Sequence, residues 1–251
     1  MDSIEIIGVK IEKDIEPGDD IPELIIEALN NMNIKLEERD ILVICQKIIS
    51  KAKGFLFDAS KVKPSPKALE LARKLGKKPG LIEFVLRQSK SIFNIWRRVI
   101  ITETHHGLIC PNAGIDKSNV KGENWYSFLP PDPDMEAQKI REEIGKRLGV
   151  YPAVIITDTM SRPFRRGQVN FAIGVAGMAP LLDYRGKSDM YGKPLRITII
   201  AIADEIAAAA ELVMGKTKRC PVAIVRNYKY PRSEQASAKE LIVKLDEDMF
   251  L

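Results

Sequence analysis

Two short segments carry a carboxylate beside other polar groups in a pattern that could do chemistry: Asn112-Ala113-Gly114-Ile115-Asp116-Lys117-Ser118-Asn119 and Thr157-Asp158-Thr159. In the first, small residues let the backbone approach a ligand, and Asp116 and Asn119 supply a carboxylate and an amide. The same residues suit an Asx-type turn in which both side chains bond their own backbone. In the second, Val154-Ile155-Ile156 predicts a buried strand that ends in Asp-Thr, whose oxygens suit Mg²⁺ or Mn²⁺ beside phosphates. The plainer alternative is that Asp158 caps the next element. Arg162, Arg165 and Arg166 follow closely. A guanidinium fork accepts two phosphate or carboxylate oxygens at once, although a solvated basic turn has the same composition.

A third segment, Ile48-Ile49-Ser50-Lys51-Ala52-Lys53-Gly54, follows an apolar run ending at Cys45 and offers Lys51 as a point charge for phosphate. It is not a Walker A loop, and the chain has neither a Gly-x-Gly-x-x-Gly run nor a Gly-x-Ser-x-Gly elbow. A Ser-His-Asp enzyme would have to use His105 or His106, the only histidines, and these read as part of a hairpin turn. Asp204 and Glu205 open an alanine-rich helix. There Asp204 is expected as the N-cap and Glu205 as a complement to the helix dipole, with a functional acid as the second reading.

The elements that must position these groups can be traced in order. Ile4 to Ile11 alternates like a strand, and Asp20 precedes a helix with apolar residues at Ile21, Leu24, Ile25, Ala28 and Leu29. Ile41 to Cys45 reads as a buried strand. A helical region from Lys67 to Gln88 is interrupted near Lys78-Pro79-Gly80. Ser91 to Glu103 and Leu108 to Cys110 form an expected strand pair around a turn at 104–107. After Pro130-Pro131-Asp132-Pro133-Asp134, a weak boundary, come a helix from Met135 to Leu148, strands at 154–156, 169–175 and 195–203, a helix from Ile206 to Met214 closed by Gly215, and a last strand at 222–225. Strands and helices mix without a strict βαβ rhythm, so the expected class is α+β.

Composition bounds the rest. The 251 residues, 45% hydrophobic and 29% charged, are those of an ordinary globular protein. No apolar run reaches the ~20 residues of a membrane span, and Met1 to Glu5 has no signal-peptide character. Three widely spaced cysteines, Cys45, Cys110 and Cys220, fit a reducing compartment, so a cytoplasmic location is expected. A net charge of +5 with only 6% aromatic residues argues against nucleic acid as the partner.

Taken in order, several stretches resemble the coenzyme F-420 γ-glutamyl ligases, which add glutamate to the deazaflavin cofactor. They are Gly18-Asp19-Asp20, Ile49-Ser50-Lys51-Ala52, Asn112 to Asp116 with Ser118-Asn119-Val120, Leu129-Pro130-Pro131-Asp132-Pro133, Thr157-Asp158-Thr159 through Gly167, Asp189 to Leu195, Ala203 to Ala207, Ser237 to Leu241 and Asp248-Met249-Phe250. The resemblance covers nearly the whole chain, 1–251, as one unit, with two subdomains expected to meet near 130–134. It implies a two-domain mixed α+β fold in an intertwined homodimer. Its implied ligands are GTP and two divalent ions, Mg²⁺ or Mn²⁺, with potassium as a further candidate ion.

By position, the resemblance makes Asp116 and Asp158 ligands of one ion and Thr159 a ligand of the other. Gln46, Lys47, Lys51, Asn119 and the Met214-Gly215-Lys216 loop would contact the nucleotide, and Arg165 and Arg166 would neutralise charge on nucleotide or acceptor. Two departures stand out. Lys216 occupies a position where some relatives carry a glutamate ligand of the second ion, and Glu12-Lys13-Asp14-Ile15 replaces the usual Leu-Pro-x-Ile near the N-terminus. The implied reaction joins the F-420 precursor to L-glutamate through an acyl phosphate. Two alternatives are the same chemistry on a folate or pterin acceptor, and a nucleotide-binding regulatory protein without turnover.

Overall fold

Continuous β-branched runs make the centre of the molecule because strands buried on both faces have no polar side to alternate with. In chain order the computed structural model contains β1 (Glu5–Val9), α1 (Ile21–Asn31), β2 (Ile41–Cys45), α2 (Gln46–Ala52), β3 (Leu56–Asp58), α3 (Pro66–Leu75), α4 (Pro79–Arg87), β4 (Ser89–Trp96), β5 (Val99–Thr104), β6 (Ile109–Pro111), β7 (Trp125–Ser127), α5 (Pro133–Leu148), β8 (Ala153–Arg162), β9 (Arg165–Ala176), β10 (Leu182–Asp183), β11 (Ile199–Ile200), α6 (Ile202–Met214) and β12 (Val222–Arg226). Residues 3–243 and 247 are described, so the Asp248-Met249-Phe250 motif lies outside them.

The main sheet has the order β1-β12-β2-β8-β9. Its β2–β8 pair is parallel and its other pairs are antiparallel. Side chains of β2 and β8 go alternately to two cores. Leu42, Ile44, Val154 and Ile156 pack with α1 and α5, while Ile41, Val43, Ala153 and Ile155 pack with α6. The helices are fixed at their ends by side-chain caps, of which Asp20 is the one expected, and by left-handed glycines. Asp20, Ser65 and Asp132 each accept a backbone N–H as N-caps, and left-handed Gly76 and Gly149 close α3 and α5.

Between α2 and α5 the chain builds a third core. It uses α3, α4 and the sheet β4-β5-β6, with Phe57 stacked on Phe84 at 3.7 Å between ring centroids. The mixture of helices with largely antiparallel sheets is the α+β arrangement expected.

Several elements differ from their expected bounds. The strand expected at 154–156, ending in Asp-Thr, runs on to Arg162, because β9 pairs with it from Val154↔Ala176 to Arg162↔Arg165. Gln46–Ala52 is a helix, unannounced in so short and apolar a run. Ser91–Glu103 is broken at Arg97, which takes a positive φ of 53°, into β4 and β5. The strand expected at 195–203 shrinks to Ile199–Ile200, since only β10 is there to pair with it and the alanine run draws Ile202 into α6. Asp204 is therefore inside the first turn of α6, with Ala201 at the cap. Its carboxylate accepts the Ala172 backbone N–H at 2.8 Å, a bond to the neighbouring strand that a capping role does not include.

Candidate active site

The parallel pair decides where a site can form. β2 stops at Cys45, opposite Thr157, and turns into α2, while β8 continues. Asp158 and Thr159 thus lie just past the carboxyl end of β2, the end of parallel strands at which open sheets bind ligands. Gln46 and Lys47 form the first turn of α2 at the same place.

Asp116 arrives from the third-core region. The left-handed residues Asn112, Ala113 and Gly114 turn the chain sharply, and Asp116 is then stapled to Ser127 by reciprocal backbone bonds of 3.0 and 2.9 Å. A Cβ on Gly114 would come 2.6 Å from Leu129 Cγ, so only glycine fits this turn. The Asx turn is real: Asp116 Oδ1 accepts the Ser118 N–H at 2.9 Å, and Oδ2 accepts the Ser118 hydroxyl. Oδ2 also receives Lys47 Nζ at 2.8 Å, and Lys47 donates in addition to Ser127 Oγ at 2.6 Å. The turn and the charged site are therefore one structure.

The two carboxyls are driven apart in acidity. Burial opposes ionisation of Asp116, but Lys47 and Ser118 outweigh it and hold the group below the usual carboxylate range. Burial pushes Asp158 up to about 6, and the Asp116 charge adds to the rise, while the Thr159 N–H, Lys47 and Gln46 pull the other way. Cys110, buried beside Asp158, is pushed up to about 12, chiefly by burial, and is an inert thiol.

Among the described residues no group of three or more His, Cys, Asp and Glu side chains could hold an ion. Asp116 and Asp158 nevertheless suit a hard divalent ion of the magnesium type. Such an ion uses one or two carboxylates and takes its remaining oxygens from phosphate and water.

Thr159 faces the opposite side of β8, toward α6. Its hydroxyl donates to Asn170 Oδ1 at 2.7 Å and accepts from Lys216 Nζ. Asn170 Nδ2 donates to Thr157 Oγ1 at 3.2 Å and to Glu211 at 3.0 Å. Sequence reasoning missed Asn170 and Glu211. The signal for Asn170 was a lone amide inside an apolar strand run, which must find partners when buried.

The remaining expected residues scatter. Lys51 lies one turn beyond Lys47 on α2, near Asp14 and Lys121, and burial holds it below its ordinary value. Asn119 is exposed in a left-handed turn. Met214 is core, so that position offers a ligand only its backbone. Arg165 and Arg166 sit at the exposed β8–β9 hairpin end. At a strand rise of about 3.3 Å per residue, the four residues from Asp158 to Arg162 put that end ~13 Å away. Within one chain the structure does not bring these arginines to the aspartates.

A family model described as F420-0:gamma-glutamyl ligase matches residues 8–227. The chain belongs to this family. Three similar proteins, each named coenzyme F420:L-glutamate ligase, span most of their own length in the match. That of Methanothermobacter thermautotrophicus is 46% identical over 90% of this chain and 89% of its own. That of Methanopyrus kandleri is 43% identical over 90% and 88%, and that of Archaeoglobus fulgidus 37% over 98% and 96%. The family's matched region contains Asp116, Asp158 and the β8–α6 network. No helix among the described residues is long and apolar enough to cross a membrane.

Proposed function

We infer that this chain is a GTP-dependent ligase that joins L-glutamate to the carboxylate of the F-420 precursor and then adds a γ-linked glutamate. Family membership and the names of its relatives support the acceptor and the amine. The observation that carries the chemistry is the convergence of Asp116, Lys47 and Asp158 beyond the end of β2.

A carboxylate acylates an amine poorly, so the acceptor carboxylate attacks the γ-phosphorus of GTP, and GDP leaves. The glutamate amine then attacks the carbonyl carbon of the acyl phosphate, an N–C bond forms, and inorganic phosphate leaves. A divalent ion, Mg²⁺ or Mn²⁺, held by Asp116 and Asp158 spreads the phosphoryl charge when bound. Lys47 holds Asp116 ionised and, with Lys51, neutralises nucleotide phosphates. Gln46 orients Asp158, and Asn119 with the 214–216 loop borders the nucleotide. Potassium belongs to the same expected ligand set.

The working unit is a homodimer. Phe164, Met190, Tyr191 and Ile197 are each at least 79% exposed, apolar area suited to burial against a second copy. In such a pair Arg165 and Arg166 serve the acceptor or the partner's site. The three cysteines are free, which supports a reducing compartment.

The test is incubation of purified protein with GTP, Mn²⁺, L-glutamate and the unglutamylated cofactor, followed by mass spectrometry. A product heavier by one or two glutamyl units is expected. A mass shift only with a folate acceptor, or nucleotide binding without any product, overturns the reading.

A further inference from the structure

A side-chain cluster between β8 and the end of α6 presents oxygens to a single cation. The Thr159 hydroxyl gives its one proton to Asn170, so its lone pairs face Lys216, whose ammonium donates to it. The Glu211 carboxylate is 3.3 Å from the same ammonium on one oxygen and receives Asn170 on the other. Gly215 makes this possible: its positive φ of 58° at the end of α6 turns the chain so that Lys216 reaches back over the last turn to Glu211.

We propose that the Lys216 ammonium is a built-in cation filling an oxygen cluster that would otherwise take a divalent ion, so that this chain uses one divalent ion per site, not two. The proposal rests on the Asp116–Asp158 reading of the other ion. Thr159 Oγ1 and one Glu211 carboxylate oxygen already face one positive charge, and a second ion brought to Thr159 would meet that charge at contact distance. Removing the ammonium leaves the Glu211 charge without a cation, with one carboxylate oxygen free beside the Thr159 hydroxyl lone pair, hard oxygens that suit Mg²⁺ or Mn²⁺ completed by phosphate and water.

Equilibrium dialysis of the protein against Mn²⁺ and a non-hydrolysable GTP analogue tests this by the ratio of bound manganese to bound nucleotide. Wild type is expected to give one. Lys216→Glu and Lys216→Gln, each checked for an unchanged circular-dichroism spectrum, are expected to give two. Asp158→Asn is expected to lower the wild-type ratio. A ratio of two in wild type overturns the proposal, and so does a ratio of one in both Lys216 variants. If Asp158→Asn leaves the ratio unchanged, or wild type retains neither manganese nor nucleotide, the Asp116–Asp158 site is what fails.

Discussion

Lys47 and Asp116, 69 positions apart in the chain, are joined by a 2.8 Å ion pair that ties the first turn of α2 to the third-core region. Through it the Asn112–Asn119 segment is held beside Asp158; Lys47 favours the charged form of both carboxyls, outweighing burial at Asp116 but not at Asp158.

Lys47→Met is therefore expected to lower kcat/KM by about 10²-fold or more, because a preorganised cation next to reacting phosphate typically contributes that much. Lys47→Arg should retain part of the activity, since it keeps the charge but not the compact ammonium geometry. Steady-state kinetics with varied GTP reads the difference. Near-normal turnover of the Met variant would remove Lys47 from the site.

Asp158→Asn should abolish metal-dependent turnover and yet stabilise the metal-free protein. The folded pKa of Asp158, about 6, lies above its ordinary 3.8. A raised acid pKa means that the stabilising contribution is fully present below the unfolded value and is lost as pH rises through the folded one. At pH 7 the ionised group thus costs the metal-free fold about 2 kcal/mol, discounted for its partial exposure. Thermal melts in chelator should show the Asn variant melting higher at pH 7, with the gap closing toward pH 4. An unchanged gap across that range would contradict the assigned acidity.

Asp40 is a structural counterpart. It is 1% exposed and accepts Arg226 through Nε at 2.9 Å and Nη2 at 2.7 Å, clamping the start of β2 to the end of β12. Breaking a buried pair on one side leaves the other charge unmatched. Asp40→Ala is expected to cost about 3 kcal/mol in denaturant unfolding, with little dependence on salt. A loss below about 1 kcal/mol would mean that water replaces the carboxylate.

Much of this was open in the sequence. The apolar runs at 41–45 and 154–156, the cap at Asp20 and the Gly215 helix end depend on neighbours a few residues away, and so they can be read locally. Asp116, Asp158 and Thr159 were visible for the same reason, each beside turn or strand signals.

What the sequence left open was which groups meet. Whether Asp116 makes an Asx turn or a charged site has no local answer, because the deciding partner, Lys47, comes from another element. Asp158 and Thr159 are adjacent, yet strand alternation sends them to opposite faces, one toward Asp116 and the other toward Lys216. The arginines after them lie near in sequence but are carried off along the hairpin. Residue types and local periodicity were fixed by the chain alone. The pairing of charges across 69 positions was decided by the sheet order and by the point where β2 stops beside β8.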